Sequence, residues 1–350
     1  METKHPVELM KQTVNILAAV QLPEGGERII KDVSGKIRLT VVPSNKPEDI
    51  SAETWENTDI LYTASILPNP GEAPELKWVQ FQHAGIDTKL DHPLFQKQKL
   101  LITTMSGAIT SQIAEYVLMA ILALGQKLPQ LQQLQREHLW PGWKEKFSGL
   151  LPVELRHSTI GILGYGSIGR EVARLLKPFG ATIFAVKKDV MHPEDRGYSA
   201  EGKGDPHGEY FDRLYPIEAL HSVLAASDFV VMALPLTHQT RNILDEVAFK
   251  AMKNSGYLIN VGRGGLIDEQ ALIRAISTKQ IAGAALDVFA QEPLAQDSPL
   301  WDLENVLITP HISGISQYLT EETLSLFIEN LKRYLSDLPL LNLVDLDQGY

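Results

Sequence analysis

The sequence predicts an α/β protein with two doubly wound parallel-sheet domains, and three observations carry that prediction. Apolar runs of strand length recur along the chain, helix-compatible stretches bounded by Pro and Gly separate them, and a long apolar helix interrupts the series from Ser111. A chain of 350 residues also exceeds one ordinary core.

The first set of strands is "VNILAAV", "IRLTVV", "DILYTA", "LKWVQFQ" and "KLLITT". The stretch "SQIAEYVLMAILALGQKLPQLQQLQREHLW" follows as a helix interrupted at Pro129 and continued in a Gln-rich form. Its first half is too apolar for a surface helix, so burial between domains or against another subunit is expected. A second, larger set begins at "STIGIL" and continues through "ATIFAV", "DFVVMALPL", "GYLINVGRGG", "IAGAALDVF" and "NVLITPHIS". The tail from Thr320 has helical periodicity with an acidic first turn, and could cross back to the first domain.

Composition narrows the function. The apolar fraction of 44% is that of a folded soluble protein, and a net charge of −11 argues against a nucleic-acid partner. No cysteine is present, which excludes disulfides, thiolate metal sites and a cysteine nucleophile. Lys4, Glu8, Lys11, Gln12 and Asn15 interrupt the N-terminal stretch, so no membrane span is expected there and a cytoplasmic protein is anticipated. The segment "DVMHPEDRGYSAEGKGDPHGEYFDRLY" reads as an exposed loop. It holds His192 and His207 among acids, at spacings that match no metal-ligand pattern, so no metal is expected.

"GYGSIG" puts Gly164, Gly166 and Gly169 at G-x-G-x-x-G spacing between a strand and a helix. That context suits a dinucleotide: the glycines allow a tight turn, close approach of a pyrophosphate and helix–strand packing, while the helix N-terminus offers amides to the anion. The next strand ends at Lys187 and Lys188, where an acid would accept hydrogen bonds from the adenosine ribose. Lysine favours a 2′-phosphate instead, so NADP(H) is the expected cofactor and NAD(H) the alternative. Lysines also end strands for solubility alone.

Three further strand ends carry reactive groups: Arg263 in "LINVGRGG", Asp287 and Glu292 in "ALDVFAQEP", and His311 in "LITPHISG". Ligands bind beyond the carboxyl ends of strands in such sheets, so these groups could converge. A guanidinium binds a carboxylate and adjacent carbonyl, an imidazole exchanges a proton near neutral pH, and a carboxylate orients that imidazole. Singly, each has a plainer reading as surface charge, loop residue or helix cap. Jointly, after a dinucleotide motif, they suffice for reducing a 2-keto acid with a hydride.

These motifs, with "ALPLTHQTRNIL" and "MKNSGYLINVGRGGLIDEQAL", resemble the D-2-hydroxyacid dehydrogenase family over nearly the whole chain. The resemblance implies a flavodoxin-like substrate domain, 1–112 plus 318–350, and a Rossmann cofactor domain, 113–317, joined by long helices. Residues 113–152 would form a helical arm and dimer contact. It implies that Arg263 binds the substrate carboxylate and carbonyl, that His311 is the general acid/base, and that Glu292 holds it. Asp287 is implied near the nicotinamide. Ser167, Ile168, Leu234, Pro235, Thr240, Val261 and Gly314 are implied as further cofactor contacts. In "FQHAGID", the amides of Ala84 and Gly85 would receive the carboxylate, with His83 touching substrate or simply packing. Trp140 or Trp143 would reach a neighbouring subunit's active site or pack the dimer interface. Met105 is expected to bound the substrate pocket together with His83.

The expected activity is therefore NADPH-dependent reduction of 2-keto acids to D-2-hydroxy acids by a homodimer. The alternative is a dinucleotide-sensing, corepressor-like binding protein with little turnover. Phosphoglycerate oxidation is disfavoured, because no appended regulatory domain or basic set for a substrate phosphate is evident.

Overall fold

The computed structural model describes residues 13–97, 99–195, 197–346 and 348–349. The polar N-terminal residues up to 12, and Asp347 and Tyr350 of the C-terminal "DLDQGY", lie outside them. Contacts divide the chain into two units, one running to Ala108 and resuming at Gln317, the other spanning Ile109–Ser316.

In the first unit, β1 (Val14–Ala19), α1 (Gly26–Asp32), β2 (Ile37–Val41), α2 (Ala52–Asn57), β3 (Ile60–Thr63), β4 (Trp78–Phe81) and β5 (Leu101–Thr103) follow in order. The five described strands are all parallel, in the order β2-β1-β3-β4-β5, which is the flavodoxin-like arrangement. β3 and β4 are buried at every position, as expected of parallel strands covered on both faces, whereas edge strand β2 alternates between half-buried and exposed residues.

The second unit contains α3 (Thr110–Gly125), α4 (Leu128–Arg136), α5 (Trp143–Gly149), β6 (Thr159–Leu163), α6 (Ser167–Leu176), β7 (Thr182–Val186) and β8 (Arg213–Tyr215). It continues with α7 (Leu220–Ala226), β9 (Phe229–Met232), α8 (Glu246–Ala251), β10 (Tyr257–Asn260), α9 (Glu269–Ser277), β11 (Gly283–Leu286) and β12 (Val306–Ile308). Its described strands form a parallel sheet in the order β12-β11-β10-β9-β6-β7-β8, a Rossmann order extended by one strand. The order reverses between β6 and β9, and this reversal places the crevice.

α3 packs on α6, β10 and β11, so the second unit's own core accounts for its apolar composition. The break after it precedes Pro129: Lys127 adopts φ +59°, and the proline sits in the first turn of α4, where its missing N–H costs nothing. Two expectations need correcting. The polar segment after β7 ends in strand β8, too short and too polar to show as a strand in the sequence. Nor is that segment simply exposed, since Gly204 and Asp205 are buried within it.

The last helix, α10 (Leu319–Leu335), belongs to the first unit, where Phe327 stacks on Tyr62 at 4.5 Å and on Trp78 at 5.5 Å. Asn330, fully buried, donates to Gln80 at 3.0 Å, which satisfies two polar groups in an otherwise apolar layer. Among the described residues, no helix is long and apolar enough to cross a membrane.

Candidate active site

The glycine motif lies at the switch point. Gly164, at φ +102°, would put a Cβ 2.6 Å from the carbonyl oxygen of Ala233 just past β9, so only glycine permits this turn. A Cβ on Gly169 would stand 2.3 Å from the Gly164 carbonyl oxygen, which closes the turn on α6. At Gly166, by contrast, no described atom lies within 4 Å of a Cβ, so the backbone there faces open space. The first intrahelical bond of α6 runs from Arg170 N–H to the Gly166 carbonyl at 3.0 Å. The amides of Ser167 and Ile168 precede it and remain available to an anion. The arrangement fits a pyrophosphate.

Beyond β7, Lys187 does not point into bulk water. Its ammonium donates to the carbonyl of His192 and, at 3.3 Å, to that of Glu194. Burial, with Arg170 nearby, lowers its pKa. Lys188, next in the chain, is exposed. Asp189, the neighbouring acid, is bound to His192 at 2.6 Å, and this bond holds its carboxyl below the usual range. Behind Lys187, Arg170 is 1% exposed and reaches the same segment: Nη1 donates to Asp205 O at 2.6 Å and Nη2 to Pro193 O at 2.5 Å.

At the other end of the sheet, His311 Nδ1 lies 2.7 Å from Glu292 Oε2. The other carboxylate oxygen of Glu292 accepts the Phe289 N–H at 3.0 Å. This fixes the imidazole from its Nδ1 side, so that Nε2 is the ring atom able to exchange a proton with a ligand. The ring is half-exposed and its backbone sits at φ +53°, an uncommon conformation outside glycine. Asp287 holds that turn. Fully buried, it accepts from Thr309 Oγ1 at 2.6 Å, Ile312 N–H at 2.9 Å and Ser313 N–H at 3.0 Å.

Because the Thr309 hydroxyl spends its one proton on Asp287, the Tyr116 hydroxyl, 2.7 Å away, donates to Thr309. Burial pushes the Tyr116 pKa up to about 12, with the Asp287 charge adding to it, so this donor stays protonated. Sequence reasoning missed Thr309 and Tyr116. One faint signal was a tyrosine in the middle of an apolar helix, which needs a partner once buried.

Arg263 follows β10 on a turn shaped by fully buried Asn260, whose side chain bonds Arg263 O at 3.1 Å and Gly262 N–H at 3.1 Å. A Cβ on Gly264 would fall within 2 Å of the Phe289 backbone. That glycine therefore lets the Arg263 turn press against the loop carrying Glu292. The structure thus brings Arg263, Glu292 and His311 onto neighbouring loops at the carboxyl ends of β10, β11 and β12.

The remaining expected residues are more dispersed. Leu234 and Pro235 follow β9, and Thr240 donates to Pro235 O at 2.7 Å as part of a turn with Thr237. Val261 is buried, and Gly314 packs near Ile109 and Ile113. In the first unit His83, Ala84 and Gly85 are exposed on the loop after β4, while Met105, expected beside a pocket, is fully buried. Trp140 and Trp143 are 91% and 75% exposed, with Lys146 over both rings. The described residues contain no cluster of three potential metal ligands.

The chain is similar to several known proteins. Residues 118–313 match the family model "D-isomer specific 2-hydroxyacid dehydrogenase, NAD binding domain". A glyoxylate reductase of Thermofilum pendens is 33% identical over 260 residues, covering 74% of this chain and 72% of that protein. A glyoxylate/hydroxypyruvate reductase B of Pectobacterium carotovorum is 33% identical over 264 residues, 75% of this chain and 77% of that one. A D-isomer specific 2-hydroxyacid dehydrogenase from Xanthobacter autotrophicus, solved with NADPH and MES, superposes with a TM-score of 0.78 at 25% identity, covering 97% of this chain and all of that one. With a Rossmann sheet, a glycine turn at its switch point and this match over more than half its length, the chain belongs to the D-isomer specific 2-hydroxyacid dehydrogenase family, as an NAD(P)-dependent oxidoreductase.

Proposed function

We propose that the protein reduces small 2-keto acids, glyoxylate and hydroxypyruvate first among them, to D-2-hydroxy acids, with NADPH preferred over NADH. The observation that carries this reading is the Glu292–His311 pair at 2.7 Å beside the Arg263 turn. The cofactor, when bound, supplies the hydride. Gly164, Gly166, Gly169, Ser167 and Ile168 would hold its pyrophosphate, and Lys187 with Lys188 its 2′-phosphate. Leu234, Pro235, Thr240, Val261 and Gly314 complete the proposed set of cofactor contacts.

In this reading Arg263 binds the substrate's carboxylate and carbonyl through its planar fork and so fixes the face presented to the hydride. His311 gives the proton on Nε2 to the carbonyl oxygen as it becomes an alcohol, while Glu292 stabilises the imidazole orientation throughout. The Ala84 and Gly85 amides receive the carboxylate, with His83 beside the substrate. Asp287 acts beneath the nicotinamide end through the turn it holds. The exposed Trp140 and Trp143 face a second copy of the chain in a homodimer.

The names of the relatives support the substrate class, and the NADPH in the Xanthobacter complex supports the cofactor. The test is initial rate with NADPH and NADH in parallel, against glyoxylate, hydroxypyruvate, 2-ketoisocaproate and phenylpyruvate. Turnover of the two small acids with a clear NADPH preference is expected. Cofactor binding without turnover of any keto acid would replace this reading with a dinucleotide-sensing protein.

A further inference from the structure

The segment joining β7 to β8 is far more firmly built than a connection requires. Arg170, the residue directly after Gly169 of the phosphate cradle, is buried beneath it and held by the carbonyls of Asp205 and Pro193. Its Nε lies 3.5 Å from Asp195 Oδ2 without a hydrogen bond, and its guanidinium covers the Tyr165 ring at 4.8 Å. Asp205, 2% exposed, accepts the Tyr165 hydroxyl at 2.6 Å and the amides of Glu209 and Tyr210 at 2.8 and 3.0 Å. Buried charges are costly unless paired, so a segment anchored by a buried cation and a buried anion has one preferred placement.

That placement bears on Lys187. An ammonium has three protons. Two are directed at the carbonyls of His192 and Glu194 within the segment, which leaves the third for an external acceptor. A lysine otherwise loses much side-chain entropy when it binds an anion, and here the segment has already removed it.

We propose that residues 190–210 are a specificity-determining part of the dinucleotide site: they hold the Lys187 ammonium in position for the 2′-phosphate, and Arg170 is the positioning residue that docks them. The inference rests on the NADPH reading above and extends it from two lysines to the segment that orients them.

The test is calorimetric titration of the full chain with adenosine 2′,5′-bisphosphate and, separately, with AMP. Three proteins are compared: the wild type, Arg170→Gln, and a chain in which 191–207 is replaced by a short Gly-Ser linker. Wild type should prefer the bisphosphate by about tenfold or more, the worth of one charged hydrogen bond. Arg170→Gln should become prone to proteolytic nicking within the segment and lose about tenfold in bisphosphate affinity, with AMP affinity held within about twofold. The linker chain should do the same, which keeps the test valid should Arg170→Gln fold poorly. A linker chain that keeps the wild-type preference would overturn this inference alone. Equal loss of both ligands would also overturn it, by making the segment a support for the cradle. A wild type that does not distinguish the ligands would instead remove the NADPH reading itself.

Discussion

Two loop systems of the larger unit carry the groups proposed to act, and they are held by buried charges of opposite sign. The turn from Thr309 to Ser313 is short and presents successive N–H and O–H donors, which an anion, Asp287, gathers from below. The segment after β7 is long and presents carbonyls, which a cation, Arg170, gathers from below. In each case the group proposed to act, His311 or Lys187, rides on a layer that makes no direct contact with ligand in the proposed mechanism. The difference lies in the fixing of that group itself. His311 is held by one charged side chain, Glu292, whereas Lys187 is held by main-chain carbonyls. A proton donor needs a partner that responds to its charge; a phosphate ligand needs one that leaves the ammonium charged and in place.

His311→Gln should lower turnover by about 10²- to 10⁴-fold, the usual worth of a positioned acid/base, measured as initial rate at saturating keto acid. Asp287→Ala should cost about 3 kcal/mol, because it strands three donors at a fully buried position. A lowered urea midpoint at unchanged m-value would report this, accompanied by a lowered kcat. On the adenosine side, Lys187→Asp should cut the ratio of NADPH to NADH kcat/KM by about tenfold while leaving the urea midpoint close to wild type. A large loss of stability in that variant would make Lys187 a strut of the fold and sharpen the contrast with His311.

The strands were legible because parallel strands covered on both faces are written as apolar runs, and the glycine turn after β6 because Gly164 and Gly169 answer to specific close approaches. Arg263, Glu292 and His311 were legible as reactive groups at strand ends, and the structure places them on neighbouring loops. The layer beneath them was not. Arg170 reads from sequence as an ordinary charge in the second turn of a helix, and nothing local says that a segment more than twenty residues away will bury it. Asp287 was assigned to the cofactor's neighbourhood by resemblance, but the hydrogen bonds it makes with Thr309, Ile312 and Ser313 appear only once β11 and β12 lie side by side. β8 was hidden because three residues at a sheet edge carry no periodicity worth reading.

The most direct test pairs two numbers for one variant: the rate of NADPH oxidation by His311→Gln with glyoxylate, and the affinity of that variant for NADPH by fluorescence titration. The rate should fall by at least about 10²-fold with cofactor affinity within about twofold of wild type, because the imidazole is proposed to act on the substrate oxygen alone. Turnover near the wild-type value, with the same cofactor affinity, would contradict this and take the proton donor away from His311.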